Sequence, residues 1–171
     1  MKKHILIVAL FAIVLCACKA QEKDGLTLLK EGRYEKAKVV FQEDIREKKN
    51  LKKAYYGAGI ACFELGEYEE AISYFELALQ SKAEQTGTIA SFLGACYMKT
   101  EQYEKALDAY ENALADGTLT DHLEQEANYN LIAVYERMGN WDAAKVQIEK
   151  YIQKYPNDPR VEKEQDFLEK R

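Results

Sequence analysis

The residues able to carry chemistry are few: four cysteines (Cys16, Cys18, Cys62, Cys96), two histidines (His4, His122) and carboxylate pairs such as Glu69-Glu70 and Glu124 with Glu126. Thiols can accept an acyl group, ligate zinc or pair as a disulfide. No two of these cysteines stand at zinc-finger spacing, and two histidines are too few for a multi-histidine metal centre. Acid–base catalysis by carboxylates needs an apolar enclosure that raises one pKa, whereas these pairs lie among polar residues. There is no Gly-rich phosphate loop and no His-Glu-x-x-His. The reading is therefore a protein that is not an enzyme, with no cofactor, no metal and no small-molecule substrate. His122 reads as a solvated polar residue in a loop.

The elements around these residues say more. The chain has 171 residues, 47% hydrophobic and 31% charged, which suits one globular domain behind a short leader. Met1-Lys2-Lys3-His4 precedes an apolar run from Ile5 to Leu15. A basic start and a run this short read as an export signal, since a membrane-crossing helix needs about 20 apolar residues. Leu15-Cys16-Ala17-Cys18 resembles the lipobox of bacterial lipoproteins, with Cys18 as the lipidated cysteine, palmitate among its acyl chains, and residues 1–17 removed. Cys16 stands where Ala or Ser is commoner. The alternative is an ordinary secretory signal cut near Ala17 or Ala20. A Cys18 carrying several acyl chains would hold the protein on a membrane, because one chain alone is marginal.

The rest is one phrase written four times. Gly32-Arg33-Tyr34-Glu35-Lys36-Ala37, Gly66-Glu67-Tyr68-Glu69-Glu70-Ala71, Glu101-Gln102-Tyr103-Glu104-Lys105-Ala106 and Gly139-Asn140-Trp141-Asp142-Ala143-Ala144 place aromatics at 34, 68, 103 and 141. Each phrase continues to a large residue four beyond its alanine: Phe41, Phe75, Tyr110 and Ile148. An i, i+4 pair shares one helical face, so each phrase is a turn that opens into an amphipathic helix. The segments before the turns mix small and large residues, as in Ala58-Gly59-Ile60-Ala61-Cys62 and Leu93-Gly94-Ala95-Cys96-Tyr97, which allows helices to approach closely. The turn glycines suit a left-handed helix end, so Glu101 in the third copy should be slightly strained.

A 34-residue helix–turn–helix with Leu-Gly-x-x-Tyr and Ala-x-x-x-Phe resembles the tetratricopeptide repeat. The expected fold is all-α, a solenoid of three to four helix pairs over residues 18–158. Its units fall near 52–85, 87–120 and 125–158, after a degenerate first unit at 18–51. There Gln21, Asp24 and Gly25 stand at the places of an aromatic, a leucine and the packing glycine. Ile132 replaces the packing glycine of the last unit, Ala83 and Thr118 replace terminal prolines, and Asp121–Glu124 lengthen one junction. Asp158-Pro159 starts a capping helix over 159–171, with Val161, Gln165 and Leu168 as its inward stripe. Cys62 and Cys96 fall at nearly equivalent places, open to a disulfide but better read as small buried hydrophobes.

The resemblance implies a groove lined by the first helix of each pair, receiving an extended peptide or helix of a partner protein. Lys53, Tyr56, Ile60, Phe63 and Glu64 face it from the second unit. Thr88, Ser91, Ala95, Met98 and Lys99 do so from the third, and Glu126, Tyr129, Ala133, Glu136 and Arg137 from the fourth. Tyr56, Phe63, Met98 and Tyr129 either anchor a partner or fill the superhelix and meet the capping helix. Relatives that grip a partner's terminal carboxylate use Lys and Asn where this chain has Tyr56, Ser91 and Tyr129, so such gripping is not expected.

Charge is uneven: residues 19–53 carry 11 basic and 7 acidic side chains, residues 54–171 carry 11 and 22. Lys48, Lys49, Lys52 and Lys53 cluster near the anchored end, facing either lipid headgroups or solvent. An acidic exported protein does not suit nucleic acid. The reading is a lipid-anchored scaffold on the extracytoplasmic face of a bacterial cell membrane or outer membrane, with envelope proteins as partners. The alternatives are a pilotin- or chaperone-like assembly factor and an accessory subunit of a cell-wall enzyme.

Overall fold

The computed structural model describes residues 24–170; the apolar run, the lipobox, Cys18 and Gln21 lie outside the described residues. Among the described residues every regular element is a helix: α1 Gly25–Lys30, α2 Tyr34–Arg46, α3 Leu51–Glu64, α4 Tyr68–Gln80, α5 Thr86–Lys99, α6 Tyr103–Asp116, α7 Asp121–Arg137, α8 Trp141–Lys154 and α9 Arg160–Glu169. None of them is long and apolar enough to cross a membrane. Each odd helix packs against the next even one, and each even helix packs against the odd helix that follows. The backbones of the first helices also approach one another (α1 with α3, α3 with α5, α5 with α7), whereas those of α2, α4, α6 and α8 stand farther apart, with side chains such as Lys38 and Glu70 bridging α2 and α4. The closely spaced layer is the inside of a curve and the splayed layer its outside. Among the described residues this is an all-α solenoid of four helix pairs with a terminal helix, at the upper end of the three to four pairs that the sequence predicts.

What sets the spacing is an aromatic ring seated on a glycine. A Cβ on Gly59 would stand 2.6 Å from the Phe75 ring, and one on Gly94 2.8 Å from that of Tyr110. The first unit makes the same contact: a Cβ on Gly25 would lie 2.6 Å from Phe41. That unit is therefore intact at its packing position, and the expected degeneracy does not extend to Gly25. In the fourth unit Ile132 and Ile148 take the corresponding places, both buried in one cluster. The lost glycine is matched by a ring exchanged for a smaller side chain.

The helix ends follow the phrase. Glu67 N–H donates to Cys62 O at 2.9 Å and Asn140 N–H to Tyr135 O at 2.9 Å, with Gly66 and Gly139 left-handed between them. Glu101 adopts the same conformation at φ 59°, with Gln102 N–H reaching Tyr97 O at 2.8 Å. Its own N–H bond to Met98 O stretches to 3.4 Å, against 3.0 Å for Gly66 and Gly139. The strain expected at this residue is thus visible in its geometry.

Two expectations change. Asp121–Glu124 do not form a loop: Thr120 caps α7, its Oγ1 accepting from Leu123 N, and the four residues build the first turn of a 17-residue helix. His122 is an exposed residue of that turn. In the terminal helix Val161 is buried but Gln165 is exposed, so the stripe does not run through Gln165. A neighbouring carboxylate, Glu164, makes the contact instead, accepting from Tyr129 OH at 2.9 Å.

Candidate partner-binding groove

The odd helices present the candidate residues along the inner layer, but the structure divides them. Lys53 and Tyr56 come together at the start of α3, lining a cavity of about 330 Å³ with Leu26, Lys52 and Glu84. Lys53 Nζ donates to Asp24 Oδ1 at 3.0 Å, and burial raises the Tyr56 phenol above its ordinary pKa. Met98 and Arg137 line a second cavity of about 340 Å³ with Ala95, Lys99, Tyr103 and Asn130. Its floor includes Tyr110, whose hydroxyl is also pushed up by burial.

Most of the other candidates pack against neighbouring residues. Ser91 is buried. Phe63 meets Tyr68 at 5.9 Å and Phe92 at 5.2 Å between ring centroids, both edge to face, which joins the second unit to the third. Ile60 packs half-buried against the same core, and Glu136 is half-buried on α7. Tyr129 is covered by the terminal helix. Arg160 lies 4.2 Å from its ring centroid, and burial, with the hydrogen bond to Glu164, pushes its hydroxyl up to about 12. Arg160 is itself held by Asp158, whose Oδ2 also accepts from Tyr151 OH at 2.8 Å and Gln125 Nε2 at 2.6 Å. The Arg160 hydrogen bonds outweigh desolvation and hold the Asp158 carboxyl well below the usual range.

Sequence reasoning missed Leu26, Glu84, Tyr103 and Asn130: Glu84 comes from a turn, Tyr103 from an outer helix, and Leu26 and Asn130 from inner helices at positions outside the chosen set. It also missed Lys38. Its ammonium reaches Glu67 at 2.6 Å and Glu70 at 2.7 Å beside buried Cys62. The ligand atoms of Cys62, Glu67 and Glu70 lie within 4.8 Å of one another, a group that could hold a metal ion; the positive charge there is supplied by Lys38. Cys62 and Cys96 are separate free thiols, both buried, and burial pushes each up to about 12. Neither is poised as a nucleophile.

Stacked helix pairs with an inner groove define an α-solenoid adaptor fold. The chain belongs to the tetratricopeptide-repeat family: tetratricopeptide-repeat models match residues 52–82 and 97–163, together more than half its length. It is 26% identical over 128 residues to anaphase-promoting complex subunit 3 of Schizosaccharomyces pombe, covering 75% of this chain and 18% of that protein. Over 99 residues it is 31% identical to tetratricopeptide repeat protein 21B of Mus musculus, covering 58% of this chain and 8% of that protein. The chain thus spans less than a fifth of either relative. Among solved structures it resembles MamA, with a TM-score of 0.73 at 20% identity over 86% of this chain and 84% of that one. A tetratricopeptide repeat protein from Parabacteroides merdae gives 0.71 at 21% identity, over 85% of this chain and 56% of the other. These likenesses establish the fold.

Proposed function

We propose that this protein is a lipid-anchored, extracytoplasmic scaffold that holds a segment of an envelope protein in its inner groove and does no chemistry of its own. The observation that carries the reading is the pair of inner cavities, one at Tyr56 and Lys53 and one at Met98 and Arg137. Each sets a large, partly apolar side chain beside a cation, and such residues are the usual anchors of a bound segment. The family uses this layer for protein partners, and the lipobox-like Leu15-Cys16-Ala17-Cys18 supports anchoring through Cys18. Exposed Lys48 and Lys52 would then stand near anionic headgroups.

The test is to tag the full-length protein at its C-terminus in its host, cross-link intact cells and identify what co-purifies from membranes. Cys18→Ala serves as the anchoring control, and Tyr56→Ala with Met98→Ala as the groove control. The expected result is one dominant envelope partner, lost with the groove variant and mislocalised with Cys18→Ala. A soluble wild-type protein would overturn the anchoring, and a partner retained by a folded groove variant would overturn the groove.

A further inference from the structure

The outer face carries a cavity of a different character. Four residues before the packing positions Gly59, Gly94 and Ile132 stand Tyr55, Ala90 and Asn128. Tyr55 packs against the core, and Asn128 accepts from Gln147 Nε2 at 3.3 Å. Ala90 fills nothing. Because the outer helices α4 and α6 splay apart, its small side chain opens a cavity of about 510 Å³ between them, floored by α5.

The floor is apolar, formed by Leu79, Ala90, Leu93, Ala109 and the Tyr97 ring. The rim is acidic, with Glu76 on one side and Asp108 and Asp116 on the other. Glu76 accepts from Tyr97 OH at 2.9 Å, and Asp116 accepts from Thr86 at 2.6 Å and from Thr118. Both carboxylates are thus held in place, while Asp108 has no partner among the described residues. The single cation of the rim, Lys105, is tethered to Gln102 Oε1 at 2.8 Å and lies 5.4 Å from the Tyr97 ring centroid. Three carboxylates against one ammonium, above an apolar and aromatic floor, complement a cation on an apolar stem.

We infer that this outer cavity is a second docking site, independent of the inner groove, which takes an arginine side chain flanked by apolar residues from a basic segment of a partner protein. Arginine fits better than lysine: its planar guanidinium can lie along Tyr97 while its fork addresses Asp108 and Asp116. Two sites on opposite faces would let the solenoid bridge two proteins.

The test titrates ¹⁵N-labelled full-length protein, in non-ionic detergent, with the blocked peptide acetyl-Leu-Arg-Leu-amide and its citrulline isostere. Saturable amide shifts are expected at Ala90, Leu93, Asp108 and Asn112, with the citrulline peptide at least about tenfold weaker. Ala90→Tyr, which copies Tyr55, should abolish them. Asp108→Lys, on the exposed rim, should weaken binding about tenfold or more without disturbing the fold. Equal affinity for citrulline, shifts centred on Met98 and Arg137, or no saturable shift would overturn the proposal. So would concentration-dependent shifts of the same amides without peptide, which would mean that a second copy occupies the cavity.

Discussion

In the third unit the ring of Tyr110 lies on Gly94; in the fourth, Ile132 and Ile148 occupy the same two places. Both arrangements bury their side chains almost completely, Tyr110 to 1% exposure and the isoleucines to 2% and 3%. The comparison teaches that the repeat constrains the combined volume of a pair rather than either residue. A glycine with a ring and two branched aliphatics are two fillings of one interhelical gap.

Breaking the pair should give the largest effect. Gly94→Ile alone drives a side chain into the Tyr110 ring and should cost about 3 kcal/mol, since overpacking a filled core is expensive. Adding Tyr110→Ile, which copies the fourth unit, should recover at least about half of that loss. Urea unfolding of the two variants checks this, and a double variant no more stable than the single would refute the exchange.

The fourth unit differs from the third in a further respect: it meets the terminal helix, tied down by Asp158. Removing that carboxylate with Asp158→Ala leaves Arg160 and Tyr151 without their shared acceptor and should cost about 2–3 kcal/mol. The folded-state pKa of Asp158 is depressed below its ordinary 3.8. Its contribution is therefore fully present above about pH 4 and is lost as the pH falls through the lower folded value. Thermal melting from pH 7 to 2 should show the wild type losing more stability below pH 4 than Asp158→Asn does.

Smaller changes sharpen the same contrast between turns. Glu101→Gly gives the third unit the residue its neighbours have at the left-handed position, and should raise stability by about 1 kcal/mol in urea melts. Lys170→Ala removes an exposed ion pair with Asp166 in the terminal helix and should change stability by less than about 0.5 kcal/mol.

The groove was legible only in part. Inner-face periodicity brings Lys53 and Tyr56 to one cavity and Met98 and Arg137 to another. It does not distinguish a residue open to a partner from one covered by a neighbouring element, because periodicity reports the face and not what lies over it. Tyr129 shows the consequence: its ring is covered by Arg160 and its hydroxyl is bound by Glu164. Tyr129→Ala should therefore lower the melting temperature through lost packing, whereas Tyr56→Ala is the cleaner probe of the groove. Likewise His122 reads as a loop residue until Thr120 is seen to cap a helix that begins at Asp121.

By itself the sequence determined the repeat, the helix pairs, the turns with the strained Glu101 and the start of the terminal helix. All of these depend on neighbours within a turn or two of chain, where residue type and spacing act directly. Only the tertiary structure decided that Gly25 still seats Phe41, that Ile148 compensates Ile132, and that Lys38 sits between Glu67 and Glu70. It also decided that Ala90 opens an acidic-rimmed cavity between α4 and α6. These depend on volumes and charges brought together from different helices, and spacing along one chain does not record the distance between two of them.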